Sequence, residues 1–204
     1  MIMNAEAIEL VVYRLRDVPA NNKHLIVQQT DKGLASLSGF IDRKVYQCTD
    51  DDKLLLDYVR WHTLREAEEA AKNMMKVKEL EQFVQLIEKT EVFEHFRVTD
   101  EHVITRELTD TVEVVVYQLK PEFIDKVENF FDVYSREIAS MAGYCQRVLL
   151  QSTKTPGLFA ERVFWRSAAD AVAATQAMEK NTVLGEAFGM VEKVVVMKHF
   201  VKLG

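Results

Sequence analysis

Two matching segments decide the fold of this chain: Ile8–Leu15, with the sequence IELVVYRL, and Val112–Leu119, with the sequence VEVVVYQL. Tyr13 and Tyr117 occupy corresponding places in them and define an offset of 104 residues. At this offset residues 8–98 match residues 112–202 at 24 of 91 positions without a gap, where unrelated sequences would match at roughly 5 or 6. The chain is therefore a tandem duplication.

The duplication predicts two similar domains, residues 1–98 and 112–204, joined by a connector at 99–111. Each half has the ordinary size of a small domain. Apolar residues make up 48% of the chain and charged residues 28%, which is typical of a soluble globular protein. The composition therefore predicts two folded domains.

Charge and cysteine usage exclude several classes of function. The net charge of −6 argues against a nucleic-acid partner. Cys48 and Cys145 are not repeat equivalents, which argues against a disulfide framework and against thiolate metal sites. The sequence has no signal peptide pattern and no apolar run long enough to cross a bilayer. We expect a cytoplasmic protein with no membrane partner.

The same order of elements is predicted in both halves. A β-branched strand comes first, a helix that ends near a glycine follows, and two strands then form a hairpin. The next helix begins with a capping box in each copy, Thr63 with Glu66 and Ser167 with Asp170. A final strand, Val92–Val98 or Val194–Leu203, closes each unit. The order is βαββαβ, twice.

One antiparallel sheet with helices on a single face leaves its other face apolar, and that face needs a cover. A second copy would supply it. We therefore predict an α+β protein in which two ferredoxin-like repeats form an intramolecular pseudo-dimeric barrel of eight strands. Such a chain could be a monomer or could associate further as a homodimer.

This order, the glycine before the second strand, and Trp-[His/Arg]-[Thr/Ser] before an alanine-rich helix resemble the antibiotic biosynthesis monooxygenase-like group of the dimeric α/β-barrel superfamily. The resemblance covers nearly the whole chain, once per half. It implies a pocket between helices and sheet in each copy. It also implies oxygenation of flat aromatic compounds without metal or flavin, or, in other members, binding and cleavage of haem.

Active members commonly carry three groups: an asparagine on the first strand, a tryptophan at the end of the third, and a histidine about ten residues later. Trp61 and Trp165 match the tryptophan. The asparagine position carries Tyr13 and Tyr117, and the histidine position carries Ala71 and Thr175. One of the three groups is therefore present, in both copies.

Candidate site residues follow from the alternation of side chains along neighbouring strands. Acids and the only repeated histidines could move protons; they are Glu9, Asp57 and His95 in the first half, and Glu113, Glu161 and His199 in the second. Aromatic and arginine side chains could bind a substrate; they are Tyr13, Arg43 and Trp61, and Tyr117, Arg147 and Trp165. The alternatives are buried arginine–carboxylate bridges, core aromatics and partly exposed strand histidines with backbone partners.

The leading hypothesis is a cofactor-independent monooxygenase-like enzyme that acts on a small aromatic or quinone-like compound. A non-catalytic barrel that binds a small ligand or serves a stress response is the alternative, and haem binding is a third. No spacing indicates a metal site. The halves differ at Tyr58 and Arg162 and at Arg60 and Phe164, which suggests that at most one pocket is active.

Overall fold

The computed structural model of the protein describes residues 6–105 and 110–203. Residues 106–109 of the predicted connector lie outside the described residues. The chain divides into two compact units: the first runs to Arg97 and includes Lys202 and Leu203, and the second spans Val98–Val201. Across the described ranges, no helix is long and apolar enough to cross a membrane.

The first unit has the predicted order of elements. Its bounds are β1 Ala7–Leu15, α1 Ala20–Ala35, β2 Phe40–Cys48, β3 Leu54–Trp61, α2 Leu64–Asn73, a 3-10 turn Met74–Lys76, α3 Lys78–Leu86 and β4 Ile87–Val103. The strands are antiparallel, with β1 between β4 and β3, and β2 beside β3. This is the ferredoxin-like arrangement.

The second unit repeats it. Its bounds are β5 Thr111–Leu119, a 3-10 helix Pro121–Lys126, α4 Val127–Ala139, β6 Tyr144–Ser152, β7 Leu158–Trp165, α5 Ala168–Met178, α6 Thr182–Phe188 and β8 Val191–Lys202. Here β5 lies between β8 and β7, and β6 beside β7. The fold class predicted from the sequence, two ferredoxin-like βαββαβ repeats, is confirmed.

The last strand of each unit is longer than the sequence indicates. β4 begins at Ile87, five residues before the predicted start, and continues to Val103 within the predicted connector. Its pairing with β1 shifts register after Val12 and after Arg14, and β8 shifts at the equivalent places. Each irregularity interrupts the alternation of apolar and polar residues. The first residues of both strands therefore cannot be recognised as strand from the sequence pattern.

Matching capping boxes begin α2 and α5. Thr63 accepts a hydrogen bond from the Glu66 backbone N–H at 3.2 Å, and Ser167 accepts one from the Asp170 N–H at 3.1 Å. Gly143 precedes β6 with φ +81°, and a Cβ there would lie 2.4 Å from the Asp170 Cβ. Glycine is required for both reasons, and the junction fixes the start of α5 against the end of β7.

Each sheet buries a tryptophan beneath small helix residues. Trp61 and Trp165 are fully buried. The helix residues in the same core clusters include alanines, Ala67 and Ala70 on α2 and Ala171 and Ala174 on α5, together with larger side chains such as Leu80 and Leu184. Burial of an indole contributes about 4–6 kcal/mol at most, from its area and about 25 cal/mol per Å².

Candidate functional site

The acids predicted on neighbouring strands do come together on the helix side of each sheet. In the first unit Val11 of β1 is opposite Asp57 of β3, so Glu9 and Tyr13 flank that carboxylate. In the second unit Val115 of β5 is opposite Glu161 of β7, and Glu113 and Tyr117 flank it. All four acids are buried. Each unit therefore carries two buried carboxyl groups a few ångströms apart.

Glu161 is held by a buried arginine and a phenol. Arg147 Nε donates to Glu161 Oε2 at 2.7 Å, and the Tyr117 hydroxyl donates to Oε1 at 2.6 Å. Arg147 also donates through NH1 to Ser135 Oγ at 2.7 Å. Burial and the nearby Glu161 charge raise the pKa of Tyr117, so its phenol stays protonated and remains a donor.

Asp57 is held in the same way in the first unit. Arg43 NH2 lies 2.8 Å from Asp57 Oδ2, and the Tyr13 hydroxyl donates to Oδ1 at 3.1 Å. Arg43 NH1 also donates to Asp31 Oδ1 at 2.9 Å. Burial raises the pKa of Asp57, and the Arg43 charge opposes that rise. Both arginines thus form the buried bridges of the alternative interpretation.

The second acid of each unit has other partners. In the second unit Trp165 Nε1 donates to Glu113 Oε2 at 3.2 Å, and His199 Nε2 lies 3.9 Å from Oε1. Burial raises the pKa of Glu113 to about 7; the Trp165 hydrogen bond opposes the rise and the Glu161 charge adds to it. A carboxyl group with such a pKa can both gain and lose a proton near neutrality.

In the first unit the histidine contacts the glutamate directly. His95 Nε2 lies 3.0 Å from Glu9 Oε2, and both side chains are buried. The interpretation of His95 as a partly exposed strand histidine is therefore wrong: a carboxylate on β1 draws its ring inward. His199 is the more exposed of the two.

A cavity of about 400 Å³ lies in the second unit between its helices and the sheet. Its polar inner groups are Tyr117, Glu161, Tyr134 of α4 and Thr175 of α5. Its remaining walls are mainly apolar, formed by Val115, Met178, Phe188, Val191, Val194 and Met197, with Glu179, Glu192 and Lys193 also bordering it. The volume is in the range of small-molecule sites.

The first unit has a smaller cavity at the equivalent place, of about 310 Å³. It is bordered by both acids, Glu9 and Asp57, but not by Tyr13. Phe83 of α3 packs edge-on against the Tyr13 ring with 5.3 Å between centroids. The repeat-equivalent residue in the sequence is Ala187.

Of the twelve predicted site residues, four border a cavity: Glu9 and Asp57 in the first unit, and Tyr117 and Glu161 in the second. The other eight do not border either of these two cavities. Sequence reasoning did not identify Tyr134 as a cavity residue. Tyr134 and Met178 belong to the buried core of the second unit and also border its cavity. The Tyr134 hydroxyl lies 3.9 Å from the Met178 sulfur at the cavity wall.

For the haem alternative, no histidine or cysteine among the described residues borders the cavity of about 400 Å³ or that of about 310 Å³. His102 borders a third cavity, of about 890 Å³, in the second unit. His95 and His199, the imidazoles that the alternative needed, lie beside Glu9 and Glu113. Within the described ranges, no three His, Cys, Asp or Glu side chains are grouped so that they could hold a metal ion.

Comparison with known proteins identifies the fold. No family model and no curated protein sequence matches the chain. Among solved structures, an anthrone oxidase-like protein is 14% identical, with a TM-score of 0.77 over 98% of this chain and 92% of that one. A putative monooxygenase from Fusobacterium nucleatum subsp. nucleatum is 8% identical, with a TM-score of 0.69 over 100% and 94%.

Chlorite dismutase from Candidatus Nitrospira defluvii is 10% identical, with a TM-score of 0.68 over 98% of this chain and 91% of that one. The resemblance inferred from the sequence is thus confirmed for the fold, which this chain shares with monooxygenase-like and chlorite dismutase structures. At these identities the similarity shows the fold alone.

Proposed function

We propose that the protein is a monooxygenase-like enzyme that binds a small planar aromatic or quinone-like compound in the cavity of its second unit. The observation that carries the proposal is that cavity itself. It combines about 400 Å³ of mainly apolar space with a buried, hydrogen-bonded carboxylate, Glu161. The fold shared with an anthrone oxidase-like protein supports this class of substrate.

The walls suit a flat compound with at least one hydroxyl group. Tyr117 and Tyr134 offer aromatic surface, and Met178 offers a polarisable thioether. Glu161 accepts hydrogen bonds from Tyr117 and Arg147, and its remaining lone pairs can accept one from a substrate hydroxyl. The carboxylate therefore orients the substrate rather than taking its proton.

Glu113 is the group we assign to accept that proton. Burial raises its pKa to about 7, so this carboxyl group can exchange a proton near neutral pH. Thr175 borders the cavity, and its hydroxyl lies 3.4 Å from His199 Nε2, which is 3.9 Å from Glu113. The gap of 3.9 Å is too long for direct transfer, so the proton would reach Glu113 through a bridging water molecule beside these groups.

The overall reaction is a four-electron reduction of dioxygen by a substrate CH₂ group: substrate CH₂ plus O₂ gives the ketone and water. The substrate loses two hydrogens and gains one oxygen atom. The other oxygen leaves as water. The protein's part is to bind and orient the substrate, exclude bulk water from it, and hold the first proton.

The test compares two equivalent substitutions, Met178→Trp and Met74→Trp. Both methionines border the cavity of their own unit. We expect Met178→Trp to fill the second cavity and abolish binding of anthrones and naphthohydroquinones in calorimetric titrations, while Met74→Trp leaves binding unchanged. Binding that survives Met178→Trp, or no binding by the wild type, overturns the proposal.

Turnover separates the enzyme from the non-catalytic alternative. With a bound anthrone we expect the wild type to consume one O₂ for each quinone formed, and Glu113→Gln to lose most of the rate while it still binds. Binding without oxygen uptake by the wild type would instead support a small-ligand-binding protein.

A further inference from the structure

The first-strand glutamate has different partners in the two units, although its neighbours are of the same residue types. Glu9 lies 3.0 Å from His95 Nε2, and the buried Trp61 Nε1 has no hydrogen-bond partner among the described residues. Glu113 instead accepts from Trp165, and its Oε1 has no hydrogen-bond partner among the described residues. One unit uses the histidine and the other uses the indole.

One sequence difference beside this exchange is at the repeat-equivalent positions Ala71 and Thr175. The Thr175 hydroxyl donates its single hydrogen to the Ala171 carbonyl at 3.1 Å. Its oxygen can therefore only accept from His199 Nε2, which lies 3.4 Å away. Ala71 has no hydroxyl, so nothing at that position competes with Glu9 for the His95 ring.

We infer that Thr175 is a positioning residue: it accepts the N–H of the His199 ring, holds the imidazole away from Glu113, and leaves the Trp165 indole as the hydrogen-bond donor to that carboxyl group. The 3.9 Å between His199 Nε2 and Glu113 is beyond hydrogen-bond range. Glu113 is thereby kept from the direct histidine contact that Glu9 makes in the first unit.

The catalytic consequence rests on the proposed function. The groups that face Glu113 are Glu161 on β7, Tyr134 on α4, and His199 on β8 beside Thr175 on α5. A direct contact with His199 would stabilise the Glu113 carboxylate and lower the pKa of that carboxyl group. Thr175 therefore keeps Glu113 able to exchange protons at neutral pH, and the second unit is the one suited to turnover.

The test uses Thr175→Val, which keeps the shape and removes the hydroxyl, with Thr175→Ser as the control that retains it. Titration of ¹³C-labelled glutamate carboxyl groups, assigned with Glu113→Gln, reports the Glu113 midpoint directly. We expect about 7 in the wild type and in Thr175→Ser, and a shift toward the ordinary value of 4.5 in Thr175→Val.

A structure of Thr175→Val should then show His199 Nε2 within hydrogen-bond distance of Glu113, and Ala71→Thr should lengthen the contact between His95 and Glu9. The acid limb of the kcat/KM profile should move to lower pH in Thr175→Val. A Glu113 midpoint that stays near 7, or an equal shift in Thr175→Ser, overturns the inference. Failure of every aromatic compound to bind would sink the proposed function and leave the titration result standing.

Discussion

The two units have one fold and one set of buried polar residues, yet they connect those residues differently. In the first unit His95 contacts Glu9, Phe83 covers Tyr13, and the cavity is about 310 Å³. In the second unit Trp165 binds Glu113, Tyr117 borders the cavity, and its volume is about 400 Å³. Elements that maintain the fold are shared, while the groups that face the cavity differ.

These differences in contacts accompany only a few differences in sequence between the two units. The arginine–carboxylate–tyrosine group is the same in both units. The repeat-equivalent residues Ala71 and Thr175, which border the two cavities, differ in sequence. Substitutions of shared residues should therefore change the unfolding free energy equally in the two units. Substitutions at residues with different contacts should change it unequally.

The largest expected effect is on the shared arginines. Arg147→Met leaves Glu161 buried without its cation, and Arg43→Met does the same to Asp57. Loss of one partner of a buried ion pair costs about 3–5 kcal/mol, so we expect both variants to lose about that much unfolding free energy in urea. A difference between them of more than about 2 kcal/mol, on the same scale, would show that the bridges are not equivalent.

The pH dependence of stability should differ between Glu113 and Glu9. The pKa of Glu113 is about 7 in the folded protein against an ordinary 4.5, so the native state binds the extra proton. The unfolding free energy then falls as the pH rises from 4.5 through 7, by about 3 kcal/mol in all.

Urea unfolding at pH 5 and pH 8 measures this effect. We expect Glu113→Gln to remove most of that fall. Glu9→Gln should lower stability at both pH values, because it breaks the contact with His95. The comparison fails if the two variants change the pH dependence equally.

Substitution of the two tryptophans should lower the unfolding free energy by unequal amounts, with a smaller difference than in the previous comparison. Trp165→Phe removes a hydrogen bond to a carboxyl group, worth about 1.5–3 kcal/mol. Trp61→Phe removes an N–H that has no hydrogen-bond partner among the described residues. Both variants lose similar packing, so Trp165→Phe should be the less stable of the two at pH 8 in urea unfolding. Equal losses would contradict the assigned contacts.

The smallest expected loss of stability comes from the helix-capping side chains, which both units share. Ser167→Ala and Thr63→Ala each remove a side-chain acceptor at a helix start. The expected loss is about 1 kcal/mol for each, measured by thermal unfolding, with Ser167→Thr and Thr63→Ser as conservative controls. A loss in only one unit would show that the two helix starts are not equivalent.

Much of this architecture could be predicted from the sequence because it repeats. The offset of 104 residues located both capping boxes, and alternation along β1 and β3 placed Tyr13 beside Asp57. The early starts of β4 and β8 could not be predicted, since register shifts remove the pattern that marks a strand.

The family resemblance implied a pocket in each copy, but a pattern of residues does not give its volume or its lining, because these depend on how each helix sits on its sheet. We infer that the different partners of Glu9 and Glu113 depend on the Thr175 hydroxyl. The hydrogen of this hydroxyl is donated to the Ala171 carbonyl. Sequence comparison of the halves shows the change from Ala71 to Thr175. Only the coordinates show that the Thr175 hydroxyl lies 3.4 Å from His199 Nε2.

The two sides of the larger cavity differ in how firmly they are braced. Arg147 ties Glu161 of β7 to Ser135 of α4, whereas the opposite side is formed by the end of the seven-residue α6 and by the half-exposed Phe188, Val194 and Met197. Segments with exposed side chains open at low free energy. A ligand bound as proposed should therefore enter and leave past α6, and the rate at which α6 opens would set an upper limit on the rate of ligand exchange.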